Sequence, residues 1–147
     1  MEKKILLKWP LFSIVAITFI GYSIVFPILP LLTIKRGGSV LLAGIIVSVY
    51  PIAQIIATPL IGNLSDKYGR KQMMLISLLG SFISFFMIAV SHSFILLLLA
   101  RFIDGASGGL VAIAQSYIAD ITPEQERTKG MGFIGAAVNL GFILDQL

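Results

Sequence analysis

The chain has 147 residues, 57% of them hydrophobic and 12% charged, with a formal net charge of +4, one histidine and no cysteine. A mean hydropathy of +0.98 is too high for a water-soluble domain of this size, so much of the apolar surface must face lipid. Disulfides and thiolate metal sites are excluded, His92 alone cannot build a metal cluster, and the lysines and arginines flank apolar runs instead of forming an aromatic-interleaved nucleic-acid patch.

Residues 1–9 carry Lys3, Lys4 and Lys8, and the apolar run over 10–32 is long enough to span a bilayer. It reads as a first transmembrane helix and not as a signal peptide, with Pro27 and Pro30 in its last turns, where a kink or stop is expected. Residues 35–39 make a short link. A second span follows over 40–61, with Pro51 and Pro59 inside it; lipid tolerates such prolines when neighbours re-satisfy the freed carbonyls. Residues 62–71, Gly-Asn-Leu-Ser-Asp-Lys-Tyr-Gly-Arg-Lys, are the densest charged segment of the chain, and lipid cannot solvate those charges. They are expected to form an irregular link in water, with its glycines making a tight turn. A third span covers 72–90, Ser91-His92-Ser93 turns the chain, and a fourth span covers 94–119. A polar link over 120–129 leads to a fifth apolar run, 130–147.

Counting basic residues by side fixes the orientation. One side has Lys3, Lys4, Lys8, Lys67, Arg70, Lys71, Arg127 and Lys129; the other has Lys35 and Arg36. The positive-inside rule therefore places the N-terminus and the 62–71 link in the cytoplasm. The expected fold is an all-α, polytopic bundle of about five spans.

Arg101 remains, inside the fourth span. It lies three residues before Asp104, so the two share a helix face. Asp104 is roughly 15 Å along the helix from Phe94, close to the bilayer midplane. Each central charge costs about 2.5–3.5 kcal/mol to insert. The functional reading puts the pair on a substrate or ion pathway; the plainer one makes it a structural ion pair that fixes helix packing. Gly108 and Gln115 continue the same face, and Gly105 with Gly109 forms a small-xxx-small pair that permits close helix approach. Lighter polar seams run through other spans: Thr18 and Tyr22, then Tyr50, Gln54 and Thr58, then Asn139. Any one of these residues could serve helix packing alone. Several seams, one of them charged, favour a polar cavity lined by Thr18, Tyr22, Gln54, Gln115 and Asn139. No nucleophile elbow, HExxH or P-loop is present, so an enzyme, a metal site and a cofactor are not expected.

Gly62, Asp66, Gly69, Arg70 and Lys71 match the signature between the second and third helices of the major facilitator superfamily, and the chain resembles its drug:proton antiporter branch. Arg101 and Gly105 match that branch's fourth-helix signature, with Asp104 where many members have glutamine. Residues 114–122, Ala-Gln-Ser-Tyr-Ile-Ala-Asp-Ile-Thr, resemble tetracycline-efflux relatives. The resemblance implies a network of Asp66, Arg70 and Asp120, supported by Gly62, Gly69 and Lys71, that latches one conformation and releases it during transport. It also implies a multi-pass plasma-membrane protein, with lipid, protons and a small drug-like substrate as partners and Arg101, Asp104 and Gly105 on the coupling or substrate pathway.

Two positions depart from the pattern. Thr18 stands where tetracycline exporters carry a membrane aspartate, which leaves Asp104 as a possible substitute. Gly132 and Gly141 fit the fifth-helix signature, but the Gly-Pro expected next falls on Asp145-Gln146. The family has twelve or fourteen helices and works by rocking two six-helix halves. The resemblance therefore implies an incomplete N-terminal half: a truncated gene, a frameshift near Leu144 or a fragment. Transport by this stretch alone is not expected, and a missing C-terminal half is a candidate partner. The alternative is a small integral membrane protein that binds or assembles with a partner and moves nothing.

Overall fold

The computed structural model describes residues 2–145, with the side chains of residues 10, 12–132, 134–136, 138, 139 and 143. The described residues fold into helices α1 (Glu2–Lys35), α2 (Val40–Tyr68), α3 (Arg70–Val90), α4 (Phe94–Ser107), α5 (Leu110–Ile121) and α6 (Arg127–Asp145), with a 3-10 turn at Glu124–Glu126 and no strand. Among the described residues, four stretches are long and apolar enough to cross a membrane: Phe12–Lys35, Val40–Tyr68, Arg70–Val90 and Phe94–Ile121. The 19-residue α6, which covers most of the fifth predicted span, is not among those four. The last two residues of that span, 146 and 147, lie outside the described residues.

Local chemistry sets the ends of the helices. Gly37 takes φ +81°, and the Gly38 and Gly37 amides donate to the Thr33 and Ile34 carbonyls, each at 3.0 Å. This is a Schellman closure, which needs the left-handed residue that glycine supplies. Ser39 then caps α2 by accepting from the Leu42 amide at 3.1 Å.

The 62–71 link is not the irregular loop expected. Helix α2 runs on through Tyr68, and α3 begins at Arg70. Gly69 alone makes the turn, at φ +99°, while Gly62 sits within α2. Charge marks where lipid ends, but Asn63 to Lys67 have no reason to leave the helix there. A helix satisfies its backbone hydrogen bonds internally, so α2 can continue past the lipid edge into water without leaving those groups unpaired.

The fourth span is also different. It breaks at Gly108–Gly109 into α4 and α5, and it extends to Ile121. The Gly108 amide donates to the Gly105 carbonyl at 3.0 Å, a 3-10 tightening of the last turn of α4. Two adjacent glycines lower the cost of leaving the helix.

Helix α4 packs most extensively on α2 and α3, and α6 packs on α1 and α5. Two apolar clusters form. Val15, Met73, Met74, Leu110, Ile113, Ala114, Ile118 and Ile134 make one. Leu29, Ile46, Ile88, Leu97 and Ala100 make the other. Along each helix the polar residues Tyr22, Tyr50, Gln54, Ser81, Arg101 and Asp104 fall between these clusters, so a polar layer is held between two greasy ones. The outward flanks are apolar as well: Val40, Leu41, Ile55 and Ile95 are each at least 70% exposed. That pattern suits lipid as the surrounding solvent.

Candidate functional site: two arginine centres

Close packing of α4 on α2 places Arg101 and Asp104 in the polar layer. A Cβ on Gly105 would run into the Tyr50 carbonyl oxygen and the Ala53 methyl, so only glycine lets the two backbones approach this closely. Arg101 is wholly buried and Asp104 is 3% exposed. The Arg101 Nη1 donates to Asp104 Oδ2 at 3.0 Å. The guanidinium also lies 4.5 Å from the centroid of the Tyr50 ring and 5.6 Å from that of Tyr22. The two tyrosine rings are themselves 4.9 Å apart. Arg101 Nε and Nη2 have no hydrogen-bond partner among the described residues.

Beside this pair lies a cavity of about 40 Å³, lined by Thr18, Phe19, Tyr22, Tyr50, Gln54, Ser81, Phe85, Asp104, Ser107, Gly108, Leu110 and Val111. That volume suits about two waters. Gln54 Nε2 donates to the Gly108 carbonyl at 2.9 Å, so a side chain of α2 serves the backbone where the fourth span is broken. An unwound carbonyl is tolerated at membrane depth only where protein or a polar cavity meets it.

The second centre sits at the Gly69 turn. Arg70 Nη2 pairs with Asp66 Oδ1 at 2.5 Å, and Nε pairs with Asp120 Oδ2 at 3.1 Å. Its Nη1 donates to Ser65 Oγ at 2.7 Å. Ser65, 1% exposed, in turn donates to the Gly62 carbonyl at 2.7 Å. This cluster ties α2, α3 and α5 together. At the opposite end, Arg36 Nη1 donates to Ser91 Oγ at 3.3 Å, joining the two links there. The pairings agree with helices that alternate in direction.

Of the residues expected at the sites, Asp66, Arg70 and Asp120 meet, and so do Arg101, Asp104 and Gly105. Thr18, Tyr22 and Gln54 line the cavity. Gln115 and Asn139 are exposed and lie outside it. Lys71 is exposed and Gly62 contributes its carbonyl. Sequence reasoning passed over Ser65 and the α3 hydroxyls Ser77, Ser81 and Ser84, all buried. Their four- and three-residue spacing was the signal, but serine scarcely alters hydropathy and so went unmarked. Tyr50 was seen only as part of a seam, although it is the ring nearest the guanidinium.

Comparison with known proteins shows the family. The family model of the Major Facilitator Superfamily matches residues 11–145. The chain is 34% identical over 150 residues to the class H tetracycline resistance protein of Pasteurella multocida, covering 100% of this chain and 37% of that protein. It is 38% identical over 127 residues to the quinolone resistance protein NorA of Staphylococcus aureus, covering 86% of this chain and 33% of that protein. The chain thus spans about a third of the length of these curated relatives. With its spanning helices, its signature turn and this match over almost all of its length, the chain belongs to the Major Facilitator Superfamily, a family of membrane transporters.

Proposed function

We propose that this chain forms the N-terminal helices of a proton-coupled exporter of small, amphipathic, drug-like compounds in the plasma membrane, with its N-terminus and the Gly69 turn in the cytoplasm. The remaining helices of the transport fold lie outside these 147 residues. The carrying observation is the Arg101–Asp104 pair, buried within a membrane-length span, because such charges are costly in lipid and are retained where ions or substrates pass. The resistance proteins named above support the substrate class. Asp104 takes the proton-linked part that Thr18 cannot, since a threonine hydroxyl does not titrate. Arg70, bridging Asp66 and Asp120, is the latch: three elements meet on one guanidinium, and breaking its pairs frees them to move. Gln115 and Asn139, exposed here, face the substrate path once the other helices are in place.

The test joins this chain to the remaining two-thirds of the class H relative and measures drug efflux from cells. Protonophore-sensitive efflux that falls at least tenfold in Arg70→Ala and in Asp104→Asn is expected. A chimera that inserts normally and moves nothing overturns the reading and leaves the assembly role. Labelling of a cysteine placed at Lys71 checks sidedness separately; reaction with an impermeant reagent from outside intact cells would reverse the orientation.

A further inference from the structure

A proton taken up by Asp104 sets Arg101 a problem. A guanidinium keeps its charge at any working pH, so neutralising the carboxylate leaves the cation behind without its counter-charge. Arg101 is wholly buried, and a buried charge deprived of its partner is strongly destabilising. Two rings answer that problem. The guanidinium carbon stands over Tyr50, 4.5 Å from the ring centroid, and over Tyr22 at 5.6 Å. Both lie inside the reach of about 6 Å for a cation–π contact. The rings are 4.9 Å apart and tilted by 44°, so two π faces converge on one charge. They come from α2 and α1, whereas Asp104 shares α4 with Arg101. From α3 the carboxylate meets Ser81, a hydroxyl that brings no charge. Gly105, about one turn beyond Arg101, lets the Tyr50 backbone come this close. Attraction to a ring face arises from its quadrupole and persists when the carboxylate is neutral.

We propose that Tyr50, backed by Tyr22, is a positioning residue that keeps Arg101 seated while Asp104 carries a proton. This rests on the export reading, in which Asp104 is the proton-linked acid, and states how the same site tolerates its neutral step. The carboxylate and the rings divide the work. With Asp104 charged, the ion pair holds the guanidinium and the rings add little that packing would not. With Asp104 neutral, the rings offset part of the cost of a lone buried cation. A seated guanidinium is ready to pair again when the proton leaves; one that strays has to be recovered from elsewhere in the bundle. Because the ring face and not the phenol hydroxyl attracts the cation, phenylalanine serves in place of tyrosine and leucine does not.

The experiment is a mutant cycle on the 147-residue chain in mixed micelles, read as the unfolding equilibrium constant from circular dichroism in denaturant. Asp104→Asn stands in for the neutral carboxyl. Tyr50→Leu is expected to weaken folding by roughly tenfold more in the Asp104→Asn background than in the parent, while Tyr50→Phe stays within about threefold in both. The extra loss disappears when Arg101→Met removes the cation. Equal losses from Tyr50→Leu in the two backgrounds, a Tyr50→Phe loss as large as that of Tyr50→Leu, or an extra loss that persists without Arg101 overturns the proposal. Where Asp104→Asn/Tyr50→Leu does not fold, the triple variant with Arg101→Met decides: recovered helicity supports the role, and continued failure overturns it. No flux is measured, so a chimera without export does not decide this result, and export alongside equal losses sinks the positioning role alone.

Discussion

The two arginine centres use the same parts in opposite ways. Arg70, 21% exposed, engages all three of its nitrogens, with Asp66, Asp120 and Ser65. Arg101, wholly buried, engages one. The better-connected guanidinium therefore sits where water competes for it, and the other sits buried against the Tyr50 ring and Asp104. Exposed pairs are individually weak, so a cluster at the bundle's end gains by combining several of them. A buried pair is costly to leave incomplete, so Arg101 and Asp104 depend on each other more than any two partners in the exposed cluster do.

The sharpest break in this comparison is Asp104→Ala, which leaves a buried guanidinium without its counter-charge. It is expected to cost about 3–5 kcal/mol, read as loss of helicity in denaturant titration of the chain in mixed micelles. The double variant Arg101→Met/Asp104→Leu should recover most of that loss, since a well-packed apolar pair substitutes for a buried ionic one. Equal losses in the single and double variants would show that the pair contributes through packing and not through charge.

Next in size is Gly105→Leu. Its side chain would meet the Tyr50 carbonyl and Ala53, pushing α2 from α4 at a cost of about 1–3 kcal/mol. Restored stability in Gly105→Leu/Ala53→Gly would place the strain at that crossing. Gln54→Leu removes the donor to the Gly108 carbonyl and should cost about 1 kcal/mol; amide hydrogen exchange at Gly109 and Leu110 is expected to quicken. The smallest effect belongs to the exposed centre. Asp66 and Asp120 are 62% and 56% exposed, so a double-mutant cycle between Arg70 and Asp120 should give about 0.2–1 kcal/mol, shrinking as salt is added. A coupling above that range that ignored salt would contradict the contrast drawn here.

Much of this was legible before any coordinates. Long apolar runs announce spanning helices because lipid demands a satisfied backbone, and a three-residue spacing is enough to put Arg101 beside Asp104. The Arg70 network came from the family resemblance and not from spacing: Asp120 is 50 residues away. Hydropathy misled where it was asked about helix ends. It located the lipid edge near Ile61 but not the end of α2, seven residues later at Tyr68. The break at Gly108–Gly109 was hidden for a related reason. Two glycines in an apolar run fit close packing as well as unwinding, and the Gln54 bond that favours unwinding comes from another helix. Gln115 and Asn139 share a polar seam with their neighbours, yet their exposure follows from the three-dimensional placement of α5 and α6.

The apolar outer flank of α2 governs how this polypeptide is born. With Val40, Leu41 and Ile55 turned outward, a copy released from the ribosome into the cytosol would present more grease on its skin than in its heart. Such a chain has to pass straight from translation into an insertion machine, and any pause in that hand-over commits it to the precipitate.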